Sequence, residues 1–357
     1  MTRRNIEWSS VKRVLVVRLR SIGDTVLATP SLIALRKFLP HAEIDILLED
    51  WVAPVLEGFD SVDNVITVGK SARSRLRTSW ELRRRDYDVA FNLHGGTTGT
   101  FFIYASGARH RVGYTEYQYS FLYNHLLTSA ADYWGKRDTH SAEQQLALLG
   151  FAGVPVDAEQ RTRLAVTNSS LDSLEKKWRT NASNSLNEYG AFALIHPVAA
   201  FDTKTWPVQN FARTAEYLAS NGIRAVAIAT KKESDVLQQL CTASRVPIVT
   251  FDDLSLPEIA ALASLARLFV GNDSGVAHIA AAVNTPSVVI FGSSNRIHWH
   301  PWTNAPYSVV FHELPCQPCP GYECKEFGEP KCILSVKPES VIEAIDRVLK
   351  KREEACL

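Results

Sequence analysis

Three short stretches of this sequence place an acid or a cation where an apolar run gives way to a helical pattern. Ser21-Ile-Gly-Asp24 follows the run 11–18. A carboxylate there sits near a helix N-terminus, whose dipole favours its ionised form, and it can serve as a general base. Asp is also a favoured capping residue, so Asp24 read alone fits a helix cap as well. Val270-Gly-Asn-Asp-Ser-Gly-Val-Ala-His278 opens an Ala-rich helix. In it Asp273, Ser274 and Gly275 form a small-residue turn whose free N–H groups can hold a phosphate, with His278 about one turn in. The competing reading is ordinary capping by Asp273 or Ser274 beside a buried His; the convergence of cap, glycine and histidine favours the anion site. In the loop His196-Pro-Val-Ala-Ala-Phe-Asp-Thr-Lys-Thr-Trp-Pro207, Lys204 offers a point charge to a diphosphate. Trp206-Pro207 pins the far end of that loop; alone, Lys204 reads as a surface lysine.

Two further stretches have chemistry of their own. Cys316-x2-Cys319-x4-Cys324-x7-Cys332 has the spacing of a four-thiolate structural zinc site, in a Pro/Gly-rich loop short of core residues. Packed, reduced thiols are the alternative, and Cys241 and Cys356 read as incidental. Residues 70–85 concentrate seven basic residues against one acid, Glu81. They form either a rim for an anionic partner or, for Arg83, Arg84 and Arg85 above all, a solvated helix face. Arg109-His-Arg111 adds to this charge. His298-Trp-His300 resembles a ligand pair, but Pro301-Trp302 beside it indicates a packed aromatic loop.

The elements that must position these residues alternate strand and helix. Apolar runs at 11–18, 44–48, 65–68 and 89–93 read as strands buried on both faces of a parallel sheet. The rhythm restarts at 191–195, 225–229, 247–251, 268–270 and 288–291. Helices are expected at 25–38 (with Pro30 in the first turn if it starts near Ala28 or Thr29), 169–179, 208–220, 233–242, 256–264 and from Gly275. The Asn/Ser-rich stretch 180–189 reads as the linker. The expected organisation is therefore an α/β chain of two Rossmann-like, doubly wound domains facing a central cleft. Their bounds are 1–180, then 181–336 with the Cys-rich loop 316–332, followed by a C-terminal helix in 337–357.

The chain's 357 residues suit two domains, and 46% hydrophobic with 22% charged residues is globular composition. A net charge of +1 argues against a nucleic-acid coat. No run of about 20 apolar residues reads as a membrane span and no signal peptide is visible, so a cytoplasmic location is expected. No G-x-G-x-x-G follows the first strand, which disfavours a nicotinamide oxidoreductase.

Taken together, VLVVRLRSIGDTVLATPSLIALRKFLP, HPVAAFDTKTWP and LPEIAALASLARLFVGNDSGVAHIAAAVNTPSVVIFG resemble glycosyltransferase family 9, the ADP-heptose:lipopolysaccharide heptosyltransferases. The likeness to heptosyltransferase II-like or related members runs in order from Val11 to about Leu349. It implies a GT-B fold, an inverting transfer and no catalytic cofactor. The implied partners are ADP-heptose and an anionic lipopolysaccharide-core acceptor at the inner membrane surface, with the protein peripheral to the inner leaflet. By the same resemblance Asp24 matches the general base and Lys204 the diphosphate-binding lysine. Asp273, Ser274, Gly275 and His278 match the stretch that holds diphosphate and sugar. Glu233 matches an acid on the nucleotide ribose, although a helix-capping Glu fits it equally. Arg18, Arg20, Arg109 and Arg111 are candidate acceptor contacts. The chain departs from the pattern at Ala199-Ala200, where heptosyltransferase I-like members carry hydroxyl residues, and at Asn92, where the family commonly has Asp. The alternatives are a GT-B enzyme using a UDP- or GDP-sugar for another surface glycan, and a non-catalytic, zinc-stapled binding protein.

Overall fold

The structure, a computed structural model, describes residues 5–182, 185–186, 188–319 and 321–355. The chain divides into two compact units, Met1–Ala165 and Val166–Leu357.

The first unit is built on β1 (Arg13–Leu19), β2 (Glu43–Glu49), β3 (Asn64–Val68), β4 (Val89–Asn92), β5 (His110–Tyr114) and β6 (His125–Leu127). These form one parallel sheet in the order β3-β2-β1-β4-β5-β6. A parallel strand covered by helices on both faces has no wet side, and Val14, Leu15, Val16 and Val17 in β1 are fully buried. The helical pattern at 25–38 divides into two helices, Ile22–Val26 and Thr29–Phe38. Pro30 falls in the first turn of the second, where its missing N–H costs nothing.

The second unit carries β7 (Phe192–His196), β8 (Arg224–Ile228), β9 (Ile248–Phe251), β10 (Leu268–Asn272), β11 (Ser287–Phe291) and β12 (Tyr307–Phe311). Its sheet runs β12-β11-β10-β7-β8-β9, again all parallel. Counted within its own unit, each sheet has the same order, 3-2-1-4-5-6. That order reverses between β1 and β4 in one unit and between β7 and β10 in the other. Crevices for ligands open at the carboxyl ends of such strand pairs.

The unit boundary falls at 165/166, earlier than the 180/181 expected from the Asn/Ser-rich stretch. The helix Asn168–Asn181 lies on the second unit's side because Leu174 and Trp178 are buried in that unit's core, against Phe192 and Phe251. Its cap is Thr167, whose hydroxyl accepts from the Ser170 N–H. The helix Pro338–Ala355 is likewise part of the second unit. Val341, Ala344, Ile345 and Val348 join the core formed with β10, β11 and the helix Val208–Ser220.

Candidate active site

Asp24 lies just past the carboxyl end of β1, at the third position of the helix Ile22–Val26. Its Oδ2 accepts from the Ser21 N–H at 3.2 Å and from the Ser21 hydroxyl at 2.9 Å. Its Oδ1 forms a salt bridge with Arg18. Asp24 therefore does cap its helix, from inside the first turn. A carboxylate offers about four acceptor sites, so this role does not exhaust it. Arg18 is buried, and its guanidinium also donates to the Leu93 carbonyl at 2.7 Å and to the Asp24 carbonyl at 3.3 Å. It ties the turn after β1 to the turn after β4. The side chain of Arg18 is 8% exposed and that of Asp24 20%, so the negative partner is the one presented to solvent.

The turn after β4 is organised by Asn92. Its Oδ1 accepts from the N–H groups of His94 and Gly95 at 3.1 and 3.0 Å, and its Nδ2 donates to the Tyr123 hydroxyl at 2.7 Å. An aspartate could make the first two bonds but has no amide to donate to Tyr123. Gly95 and Gly96 follow at φ +69° and +62°, a conformation that glycine adopts without steric cost. His94 stands in this turn. Burial, then the charge of Arg18, pushes its imidazole down to about 4, so it is neutral near pH 7. Among the described residues its buried Nδ1 has no hydrogen-bond partner.

In the second unit the loop after β7 meets the turn after β10. Lys204 Nζ pairs with Asp273 Oδ2 at 2.9 Å, and the Ser294 hydroxyl donates to the same oxygen at 2.6 Å. Here the exposures are reversed, 22% for Lys204 and 7% for Asp273. The loop is held from below. Trp206 is fully buried; its backbone N–H donates to Asn272 Oδ1 at 3.1 Å and its indole to the Val336 carbonyl at 2.8 Å. A Cβ on Gly292 would lie 2.1 Å from the Thr203 carbonyl oxygen, so that strand end must be glycine for Lys204's loop to lie against it.

Ser274 is the N-cap of the helix Gly275–Ala282, yet its side chain makes no capping bond. Its hydroxyl is 3.1 Å from His196 Nδ1 instead. Burial pushes His196 down to about 4 against the opposing charge of Glu233, leaving it neutral. The first-turn amides of this helix are thus not capped by Ser274, which weighs against the simple capping reading. His278 lies buried one turn further along. Glu233 accepts from the Thr230 N–H at 3.1 Å and from its hydroxyl at 2.6 Å, the helix-capping geometry allowed for it.

The structure thus joins Lys204 with Asp273 and Arg18 with Asp24, and it separates the other arginines. Arg20 is exposed and pairs with Glu49 at 3.6 Å. Arg109 precedes β5 and Arg111 is its second residue, so both lie at the amino edge of the sheet, the end opposite Asp24. Arg109 pairs with Asp88 at 3.4 Å. Arg111 donates to the carbonyls of Leu122 and Ala108 at 2.6 and 2.7 Å. Within the structure the Arg18 guanidinium is engaged by Asp24 and Leu93, and those of Arg109 and Arg111 by groups at the other end of the sheet.

All four cysteines of the loop, Cys316, Cys319, Cys324 and Cys332, line one cavity of about 740 Å³. Burial pushes the Cys332 thiol up, with the other three thiols adding to the rise. Among the described residues no group of three or more His, Cys, Asp or Glu stands at metal-holding spacing. The loop's backbone is bound to the Lys204 loop through the Thr203 hydroxyl, which donates to the Gly321 carbonyl at 2.8 Å. His298 and His300 pack against Trp299 and Tyr307, the aromatic loop expected. Cys356 lies outside the described residues.

Sequence reasoning assigned no role to His94, His196 or Ser294. The first two were visible only as histidines ending or following strands; nothing in sequence pairs Ser294 with Asp273, 21 positions away.

Two Rossmann-ordered sheets, each with an ion pair at its reversal point, place the chain in the class of two-domain α/β proteins whose ligand crevices open at the carboxyl ends of the strands. A profile of Glycosyltransferase family 9 (heptosyltransferase) matches residues 75–328, and the chain belongs to that family. It is 26% identical over 346 residues to lipopolysaccharide heptosyltransferase 3 of Escherichia coli, spanning 93% of this chain and 97% of that protein. The solved structure of E. coli ADP-heptose lps heptosyltransferase II has a TM-score of 0.76 at 20% identity, covering 96% of this chain and 99% of that one. E. coli heptosyltransferase WaaC with ADP gives 0.70 at 19%, covering 94% and 99%. The fold is that of these transferases, and the protein is a glycosyltransferase.

Proposed function

We propose that this enzyme transfers a heptose from ADP-L-glycero-D-manno-heptose to the inner core of lipopolysaccharide, inverting the anomeric centre. Asp24 takes the proton from the acceptor hydroxyl as its oxygen bonds to the anomeric carbon. The bond from that carbon to the diphosphate oxygen breaks, and ADP leaves. Lys204 and the amides at the start of the helix Gly275–Ala282 stabilise the negative charge building on the diphosphate. Asp273 and Ser294 hold Lys204 in place, and His196 and Glu233 flank the nucleotide side. The observation that carries this reading is the opposite exposure of the two ion pairs: a carboxylate faces out after β1 and an ammonium after β7. Similarity to lipopolysaccharide heptosyltransferases over 93% of the chain supports the choice of donor and acceptor.

No helix among the described residues is long and apolar enough to cross a membrane. The proposed place of action is the cytoplasmic surface of the inner membrane, where the acceptor's lipid is anchored. The cysteine loop is the proposed seat of a structural zinc, supported by four thiols around one cavity and requiring them to close on the ion. Elemental analysis of the purified enzyme tests it. One equivalent of metal, lost in Cys332→Ser, supports the site; none means packed thiols.

The test of the main reading is thermal stabilisation by ADP, UDP, GDP and NAD at matched concentrations. A ligand at about 100 times its Kd adds about 2.7 kcal/mol. Stabilisation by ADP alone supports the donor; stabilisation by UDP or GDP alone discards it and keeps the fold. No shift with any of them removes the anion site at 273–278.

A further inference from the structure

The helix Ala72–Arg84 buries only Thr78 and Leu82. Its two other large apolar residues face the other way, with Leu76 68% and Trp80 63% exposed. With successive residues about 100° apart, Leu76 and Trp80 lie opposite the buried pair, with Arg73, Arg77 and Arg84 interleaved on the same outward face. The Arg84 guanidinium lies 4.4 Å over the Trp80 ring. The helix Gly96–Ser106 packs alongside and turns Phe101 and Tyr104 outward. The two helix ends abut where Arg83 fills the space that a side chain at Gly107 would need.

Single exposed aromatics need no explanation. Here four large apolar side chains on two adjacent helices share a face with arginines, in a segment of seven basic residues and one acid. The whole chain has a net charge of only +1. A helix face that was merely solvated would have no reason to turn Trp80 and Leu76 out while Thr78 points in. Arginine forks match phosphate geometry, and Trp and Tyr settle at the headgroup level of a bilayer.

We propose that this face of the first unit docks on an anionic lipid bilayer. Arg73, Arg77 and Arg84 engage lipid phosphates while Leu76, Trp80, Phe101 and Tyr104 enter the headgroup region. The inference deepens the membrane-surface part of the proposed function. It rests on that reading only for which membrane is meant, because vesicle binding needs neither donor nor turnover.

The experiment is co-sedimentation of the full chain with vesicles of phosphatidylcholine alone and of an equal mixture of phosphatidylcholine and phosphatidylglycerol. Binding is expected only to the mixture, and it should weaken about tenfold in raised salt as the charges are screened. Leu76→Ser/Trp80→Ser, which leaves the charge unchanged, should lower binding about tenfold. Arg73→Gln/Arg77→Gln/Arg84→Gln should do the same. A circular dichroism spectrum and melting curve matching the parent's in both variants confirm that they fold. Failure to bind the mixed vesicles overturns the proposal, and so does indifference to the Leu76/Trp80 change. Displacement by millimolar glycerol phosphate also overturns it, marking the face as a site for soluble phosphate. Failure of any of these arms leaves the ADP result standing, so the two readings fail separately.

Discussion

The two sheets have the same strand order and put the same kind of device at the same place, yet the devices point opposite charges outward. After β1, a buried Arg18 holds a partly exposed Asp24; after β7 and β10, a buried Asp273 holds a partly exposed Lys204. Each inner partner neutralises and orients the outer one, so neither outer charge is carried on a floppy side chain. Identical topology has been given opposite polarity by exchanging which member of an ion pair is buried. The fold supplies the crevice; the sequence of two turns decides whether it presents a carboxylate or an ammonium.

Removing the outer charge in the first unit should have the largest effect. Asp24→Asn keeps the shape of the turn and removes the proposed base, so turnover should fall about 10²- to 10⁴-fold, while stabilisation by ADP persists. It also leaves Arg18 without its counter-charge, and a lower melting temperature is expected alongside. Steady-state rates with ADP-heptose beside a melting curve separate the two effects. Full turnover in Asp24→Asn would remove the base from this unit and the contrast with it.

In the second unit, Lys204→Met should cost on the order of 10²-fold in turnover. Unlike the Asp24 change, it should also erase the shift produced by ADP. Lys204→Arg, which keeps the charge, should recover part of the shift. If ADP stabilises Lys204→Met as well as the parent, the ammonium is only Asp273's partner.

The two neutral histidines sharpen the comparison by pH. His94 and His196 titrate near 4 when folded against 6.5 in an open chain. Between those values the unfolded chain binds more protons, so stability rises with pH. It is fully present above about 6.5 and is lost as pH falls toward 4. The slope is at most about 1.4 kcal/mol per pH unit for each histidine. His196→Gln should flatten this loss in the second unit only, as followed by hydrogen exchange of the two sheets across that range. Equal flattening in both units would show that the loss does not belong to these local sites.

Much of this was legible in the sequence because parallel strands buried on both faces read as unbroken apolar runs. β1, β7 and β11 stand out for that reason. β5, β6 and β12 do not: His110-Arg-Val-Gly-Tyr114 and His125-Leu-Leu127 are short and carry polar residues, and their pairing is set by neighbours already in place. Asp24, Lys204 and Asp273 were legible as polar residues in the turns and loops that follow strands. Their inner partners were less so, since nothing in the sequence ties Arg18, read as an acceptor contact, to Asp24 and Leu93 as the structure does. Arg109 and Arg111 were placed with the site on charge alone, whereas a residue entering a parallel strand belongs at the end away from the ligand. The boundary at 180 failed because an Asn/Ser-rich stretch marks a loop, while Leu174 and Trp178 decide which core owns the helix before it.

The smallest effect is expected at Glu233. Its carboxylate already receives two hydrogen bonds from Thr230, and its charge reaches His196. Glu233→Gln preserves an acceptor for the cap, so stability should change by no more than about 0.5 kcal/mol. If the residue only caps its helix, the ADP-induced shift will match the parent's. If it also accepts from the ribose hydroxyls, the neutral amide replaces a charge-assisted bond with a weaker one, and ADP affinity should drop severalfold. Titration of ADP into the variant distinguishes the two. The answer decides whether the second unit, like its crevice cation, assigns one residue to both fold and ligand, or keeps the two roles on separate side chains.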